Sequence, residues 1–167
     1  MKNPTDEIIQ IVDRQNRITG EYPRSFMRAQ RLIHRACFIL VFNTRCELFV
    51  QKRTMTKDLY PGHWDIAAGG VVLAGESYEA SARRELAEEL GITGVSLAYR
   101  FDAYYEDPDN RVWGRIFTCT HDGPFSLQAE EIDFGRFMTV PEALELSCRE
   151  PFTPDGIAIL KKIQPEI

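Results

Sequence analysis

The stretch Gly70–Ile92, GVVLAGESYEASARRELAEELGI, places the strongest constraint on how this chain folds. It reads as a loop followed by a helix, capped by Ser77 and ended by Gly91 just beyond the last turn. Glu79 in the first turn complements the positive end of the helix dipole. At about 100° per residue, Glu85, Glu88 and Glu89 fall within roughly 100° of one another, while Leu86 and Leu90 point into a neighbouring sector. The helix is therefore expected to rest its leucines on a sheet and hold its carboxylates on one stripe.

That stripe is electrostatically awkward. Like charges one turn apart repel by about a few tenths of a kcal/mol per pair. The three glutamates also lie toward the negative end of the dipole, where anions are disfavoured. A solvated acidic face is the ordinary explanation for such a helix. A divalent cation resolves the conflict more directly, since Mg²⁺ takes hard oxygen ligands and bridges carboxylates to substrate phosphates.

Around this helix the chain alternates elements without a regular βαβ repeat. DEIIQIVDRQNRITGEYPR reads as two strands around the turn Asp13–Asn16, and RSFMRAQRLIHR as a short helix. ACFILVFNTRCELFVQKR has the pattern of a hairpin, TMTKDLYPGHWD that of a loop, and DIAAGGVV that of a returning strand. Further strands are expected at VSLAYRFDAYYE, RVWGRIFTCT and IDFGRFMTV, and helices at PEALELS and FTPDGIAILKKI. The fold class is α/β with a mixed sheet between helices, as one domain over 1–167, with an N-terminal hairpin at about 6–24 and a core at about 32–165.

Composition narrows the function. The formal net charge of −5 argues against a broad nucleic-acid-binding surface, though local cations can still hold a small anion. No apolar run reaches the ~20 residues of a membrane helix, and MKNPTDEIIQ lacks the apolar centre of a secretion signal, so a cytoplasmic location is expected. Cys37, Cys46, Cys119 and Cys148 are scattered without a CxxC pair, which fits reduced thiols, with Cys37 and Cys119 in the core.

From Gly70 the spacing runs Gly, five residues, Glu76, seven residues, then RELAEELGI. With Gly70, Glu76, Arg84, Glu85, Leu86, Glu88, Glu89, Gly91 and Ile92 in register, the stretch resembles the complete signature of the Nudix hydrolase superfamily. The resemblance implies a Nudix α/β/α sandwich and hydrolysis of a diphosphate joined to a nucleoside or other group. It implies Mg²⁺ or Mn²⁺ on Glu85, Glu88 and Glu89, with Glu76 steadying the loop or adding an outer ligand. Arg84 would orient a glutamate through a salt bridge. Bound metal would neutralise the diphosphate and lower the pKa of an attacking water. The water's proton could pass to Glu88 on the helix or to a glutamate of the loop QAEEID, Glu130 or Glu131.

A broader resemblance covers about Asp6 to Pro154. IVDRQNRITGE, LIHRACFILVFN, FVQKRTMTKDLYPGHWD and FTPD look like the isopentenyl diphosphate isomerase branch of that superfamily. It implies that basic residues at Lys52, Arg53 and Lys57 contact a substrate diphosphate. The isomerase acid–base pair is absent. Gly69 occupies the cysteine position, the strand RVWGRIF carries no acid, and Val71 replaces the histidine that would accompany His34.

The expected activity is thus metal-dependent hydrolysis of a phosphoanhydride in a small diphosphate-linked molecule. An isomerase-like enzyme and a non-catalytic diphosphate sensor are the alternatives. Tyr60, His63, Trp64, Tyr104, Tyr105 and Trp113 offer rings for stacking or for packing. Neither nucleic acid nor membrane is expected as a partner; a homodimer is compatible with a chain of this size, but no residue pattern specifies one.

Overall fold

A computed structural model describes residues 6–163. Residues 1–5, on which the reading of the N-terminus partly rests, and 164–167, the end of the expected core, lie outside the described residues. The chain begins with the expected hairpin, β1 (Ile8–Val12) antiparallel to β2 (Ile18–Pro23). Asp13 closes its turn by accepting the backbone N–H of Gln15 at 2.8 Å and of Arg17 at 3.0 Å. A short helix α1 (Arg24–Ala29) follows and buries Met27 against Ile9 and Ile11.

The remaining strands are β3 (His34–Phe42), β4 (Leu48–Arg53), β5 (Trp64–Asp65), β6 (Ala98–Glu106), β7 (Arg111–Thr120) and β8 (Ile132–Met138). They join the hairpin in one mixed eight-stranded sheet. β3 pairs in parallel with β7 from His34↔Val112 to Phe42↔Thr120, and β7 pairs antiparallel with β6. β4 pairs antiparallel with β8 on one edge and with β5 on the other. The parallel β3–β7 pair requires a long crossover, which contains α2 (Tyr78–Leu90).

The sheet alternates its side chains between two cores. Cys37, Ile39 and Val41 of β3 face Ala82, Leu86 and Leu90 of α2, and Cys119 joins the same cluster. Leu40 faces the other way, toward Ala143 of α3 (Val140–Ser147) and Ile159 and Leu160 of α4 (Pro154–Ile163). Helices therefore cover both faces, giving the expected α/β/α sandwich. Leu86 and Leu90 are almost fully buried, and each such side chain stabilises by about 1.5–3 kcal/mol relative to exposure.

Two expectations need correction. β3 and β4 touch as a hairpin only at Phe42↔Leu48. Nor does DIAAGGVV form a continuous strand. Beyond the short β5, it contributes single bridges, Ala68 to Ile39 and Val71 to Ala36. One arrangement explains both. The segment Ala68–Val71 wedges along β3 in the gap where β4 would have continued, with Ile39 N–H bonded to Ala68 O at 2.7 Å and Cys37 N–H to Gly70 O at 3.0 Å.

Candidate active site

The wedge brings the glycines against the acidic helix. Ser77 caps α2 by accepting the Ala80 N–H at 3.1 Å, and Gly91 ends it in the left-handed conformation, φ 68°. With both ends fixed and the leucines seated on the sheet, the helix phase is set. Glu85 and Glu89 turn toward the loop, and the Gly69 N–H donates to Glu89 Oε2 at 3.1 Å. Gly69 cannot carry a side chain here, since a Cβ would lie 2.0 Å from the Cys37 carbonyl oxygen and φ is 145°.

Arg84 ties the carboxylates together. Its Nε and Nη2 donate to Glu76 at 2.8 and 3.1 Å, while Nη1 donates to Glu85 at 2.8 Å and Glu88 at 3.3 Å. Glu76 in turn accepts the Leu73 N–H at 3.1 Å, which anchors the loop. Burial opposes ionisation of Glu76, but the Arg84 and Leu73 hydrogen bonds outweigh it and hold its pKa below the ordinary value. The opposite holds deeper in. Burial first, then repulsion from Glu85, pushes Glu89 up to about 8, and burial likewise raises Glu85.

Lys57 supplies the facing cation. It is largely buried, and its ammonium contacts the Glu131 carboxylate. Burial, reinforced by Arg53, lowers its pKa, and Glu89 acts in the other direction. Glu131 thus joins the helix glutamates through Lys57, although it lies on a separate loop. Its neighbour Glu130 is tied elsewhere, its backbone carbonyl accepting from Thr54 Oγ1 at 2.9 Å.

The predicted phosphate contacts separate. Lys57 and Arg53 line a cavity of about 90 Å³ whose wall includes Gly69 and Gly70. Arg53 is engaged there with Asp65 at 3.0 Å and the Leu59 carbonyl at 3.0 Å. Lys52 does not line this cavity; it lies over the Trp64 ring and 3.5 Å from Glu150. The wall holds two cations that sequence reasoning passed over, Arg24 and Arg28 of α1, both paired with Asp58. Their i,i+4 spacing in RSFMR was the available signal.

Two further groups on the wall are chemically quiet. His34 is buried with Nδ1 3.2 Å from the Leu32 carbonyl, and burial, then Arg28, lowers it to about 3, so it is neutral at pH 7. Cys37 is raised to about 12 by burial, then by Glu85.

Among the described residues, no three His, Cys, Asp or Glu side chains converge on one point in this arrangement. The donor set still suits a hard divalent cation. Glu89 is buried and Glu85 partly so, and the protein's own cations leave the ionisation of both incompletely supported. The half-exposed Glu88 carboxylate is held by Arg84.

An α/β/α sandwich with a glycine loop and a capped helix of glutamates defines a class of hydrolases. A family model described as NUDIX domain matches residues 32–157. The chain is 46% identical over 155 residues to an uncharacterized Nudix hydrolase of Pseudomonas aeruginosa, covering 93% of this chain and 92% of that one. Its fold matches the crystal structure of DR0079 from Deinococcus radiodurans with a TM-score of 0.80 at 22% identity, over 93% of this chain and 98% of the other. The NUDIX domain of Shewanella oneidensis NrtR, solved in complex with ADP ribose, matches with a TM-score of 0.64 at 14% identity, over 79% and 86%. The chain belongs to the Nudix family and is a Nudix hydrolase. Its family hydrolyses nucleoside diphosphate derivatives and generally uses divalent metal ions. Among the described residues, no helix is long and apolar enough to cross a membrane.

Proposed function

We propose that this chain hydrolyses the phosphoanhydride of a small diphosphate-linked molecule, with Glu85, Glu88 and Glu89 holding Mg²⁺ or Mn²⁺ and Glu76 as an outer group. The observation that carries this reading is the packing of two carboxylates, Glu89 buried and Glu85 partly so, against a glycine loop that opens into a cation-lined cavity. Bound metal would supply charge neutralisation of the diphosphate and acidify the attacking water.

The chain's own groups account for the rest. Lys57, with Arg24 and Arg28, draws the substrate's phosphates to the cavity. Arg84 keeps Glu76, Glu85 and Glu88 in register, acting as a positioning residue. In the reaction, a water oxygen bonds to phosphorus and the bridging P–O bond breaks. Its electron pair leaves with the departing phosphate, and the water's proton passes to a carboxylate. Glu88 and Glu131 are the two candidates for that acceptor. Glu131 is favoured by its contact with Lys57, which lines the cavity.

The test incubates purified protein with Mg²⁺ and a panel of ADP-ribose, NADH, dinucleoside polyphosphates, nucleoside triphosphates and prenyl diphosphates. Metal-dependent release of a monophosphate product from at least one compound is expected. Allylic rearrangement without cleavage, or tight binding without turnover, would overturn the reading in favour of an isomerase or a sensor.

A further inference from the structure

The cavity beside Gly69 and Gly70 has a neighbour that shares part of its wall. A second, mostly apolar chamber of about 100 Å³ adjoins it, and Phe38, Val112 and Asp155 line both. Ala103, Ile116 and Ile159 supply apolar lining, with Tyr104, Tyr105 and Lys162 beside them. Asp155 therefore belongs to the wall that a cationic compartment and a mostly apolar one share.

An acid in the first turn of α4 has an ordinary explanation, because it complements the helix dipole. Such an acid normally faces water, and Asp155 is only 8% exposed. Its Oδ1 accepts the N–H of its neighbour Gly156 at 2.9 Å, and the carboxyl makes no other hydrogen bond among the described residues. Asp65, its electrostatic neighbour, is satisfied by Arg53 at 3.0 Å and Thr153 Oγ1 at 3.4 Å. Burial, then the charge of Asp65, raises the Asp155 carboxyl to about 7. The Asp155 oxygens are not among the buried polar atoms left without a partner, so the one that Gly156 does not engage opens to the cavity, where a ligand's donor can reach it.

Resting on the hydrolase reading above, we propose that Asp155 determines specificity by accepting a hydrogen bond from an O–H or N–H of the group attached to the diphosphate, whose compact apolar part lodges in the chamber behind it. The substrate class is a diphosphate carrying a hydroxyl or amine close to a small branched or cyclic apolar group. At about 100 Å³ the chamber is smaller than the apolar cavity of about 150 Å³ that holds benzene, which restricts the group to a few carbons.

A matched pair of probes tests this: 3-methylbutyl diphosphate and 3-hydroxy-3-methylbutyl diphosphate, which differ by one hydroxyl. With Mg²⁺, the wild type is expected to cleave the hydroxylated compound with kcat/KM about 10- to 100-fold higher. Asp155→Leu should reduce that ratio to about twofold or less by slowing the hydroxylated compound alone, while Asp155→Asn, which keeps a carbonyl acceptor, should retain part of the preference. A uniform loss on both compounds in either variant would mean a merely structural role and overturn the proposal. So would a wild-type ratio near unity, which does not depend on either variant folding. Cleavage of other panel compounds but neither of this pair would overturn the proposal and leave the hydrolase reading standing. Cleavage of nothing would overturn both.

Discussion

Glu89 accepts the backbone N–H of Gly69 at 3.1 Å while remaining 94% buried beside Glu85, leaving a strained acid at the junction of loop and helix. Its folded pKa, about 8, lies above the ordinary 4.5, so the folded state binds this proton more tightly than the unfolded chain does. Stability of the metal-free protein is therefore retained below about 4.5 and falls as pH rises toward 8. Melting scans in EDTA should show a lower Tm at pH 8.5 than at pH 6, and Glu89→Gln should flatten that decline. A wild-type Tm that rises over the same interval would contradict the burial argument.

The same substitution separates stability from activity. Glu89→Gln keeps an acceptor for Gly69 but deletes the charge proposed to hold metal. Turnover on any substrate found in the panel should drop about 100-fold or more. Added Mg²⁺ should raise the Tm of the wild type at pH 8 and leave the variant's unchanged. A folded variant with wild-type turnover would remove Glu89 from the metal site.

Arg84 reaches Glu76, Glu85 and Glu88 at once, using the planar fork of its guanidinium. Lysine retains the charge but cannot reproduce that geometry. Arg84→Lys should therefore cost about 10- to 100-fold in activity, comparable to losing a supporting group around a metal ligand. The Mg²⁺ concentration for half-maximal rate should rise with it. Equal activity in the two proteins would show that net charge alone matters here.

Much of this site was legible because the Ser77–Gly91 helix is defined by short-range rules. Capping fixes its ends, and a 100° step fixes the phase of its leucines and glutamates. Lys57, Arg53 and Glu131 could be nominated from sequence, but the Lys57–Glu131 contact joins segments that only tertiary pairing brings together. The split of β3 from β4 was hidden for a related reason. Alternating apolar residues report that a strand is half-buried, not which strand lies beside it, and β3 pairs with the distant β7. Arg24 and Arg28 were passed over because only tertiary packing makes the short helix α1 a cavity wall. Asp155 went unnoticed because only the folded chain places it on a wall shared by two cavities.

Glu88 and Glu131 differ in a way that kinetics can separate. Glu88 is half-exposed and held by Arg84, whereas Glu131 contacts Lys57 over the cavity. If Glu131 accepts the proton, Glu131→Gln should lower kcat about 100-fold or more and remove the acidic limb of the pH–rate profile. Glu88→Gln should then act mainly by raising the Mg²⁺ requirement. The reverse pattern would assign the proton acceptor to the helix.

Gly69 and Gly70 should respond differently to the same added methyl group. At Gly69 a Cβ would meet the rigid Cys37 backbone at 2.0 Å, with φ at 145°, so Gly69→Ala should destabilise the fold by about 2–4 kcal/mol. At Gly70 the nearest atom is Glu85 Oε1 at 2.5 Å, the end of a side chain that can swing aside. Gly70→Ala should therefore melt within about 1 kcal/mol of wild type, because the displaced group is mobile. Its cost should appear in function, as Glu85 is pushed from the position where Arg84 holds it at 2.8 Å. The measurement pairs chemical denaturation with Mg²⁺ titration of activity. Weaker Mg²⁺ affinity on an intact fold is expected for Gly70→Ala, so that more metal is needed for half-maximal rate. A Gly70→Ala protein with unchanged metal requirement would show that the position of the Glu85 carboxylate beside the loop is irrelevant to catalysis.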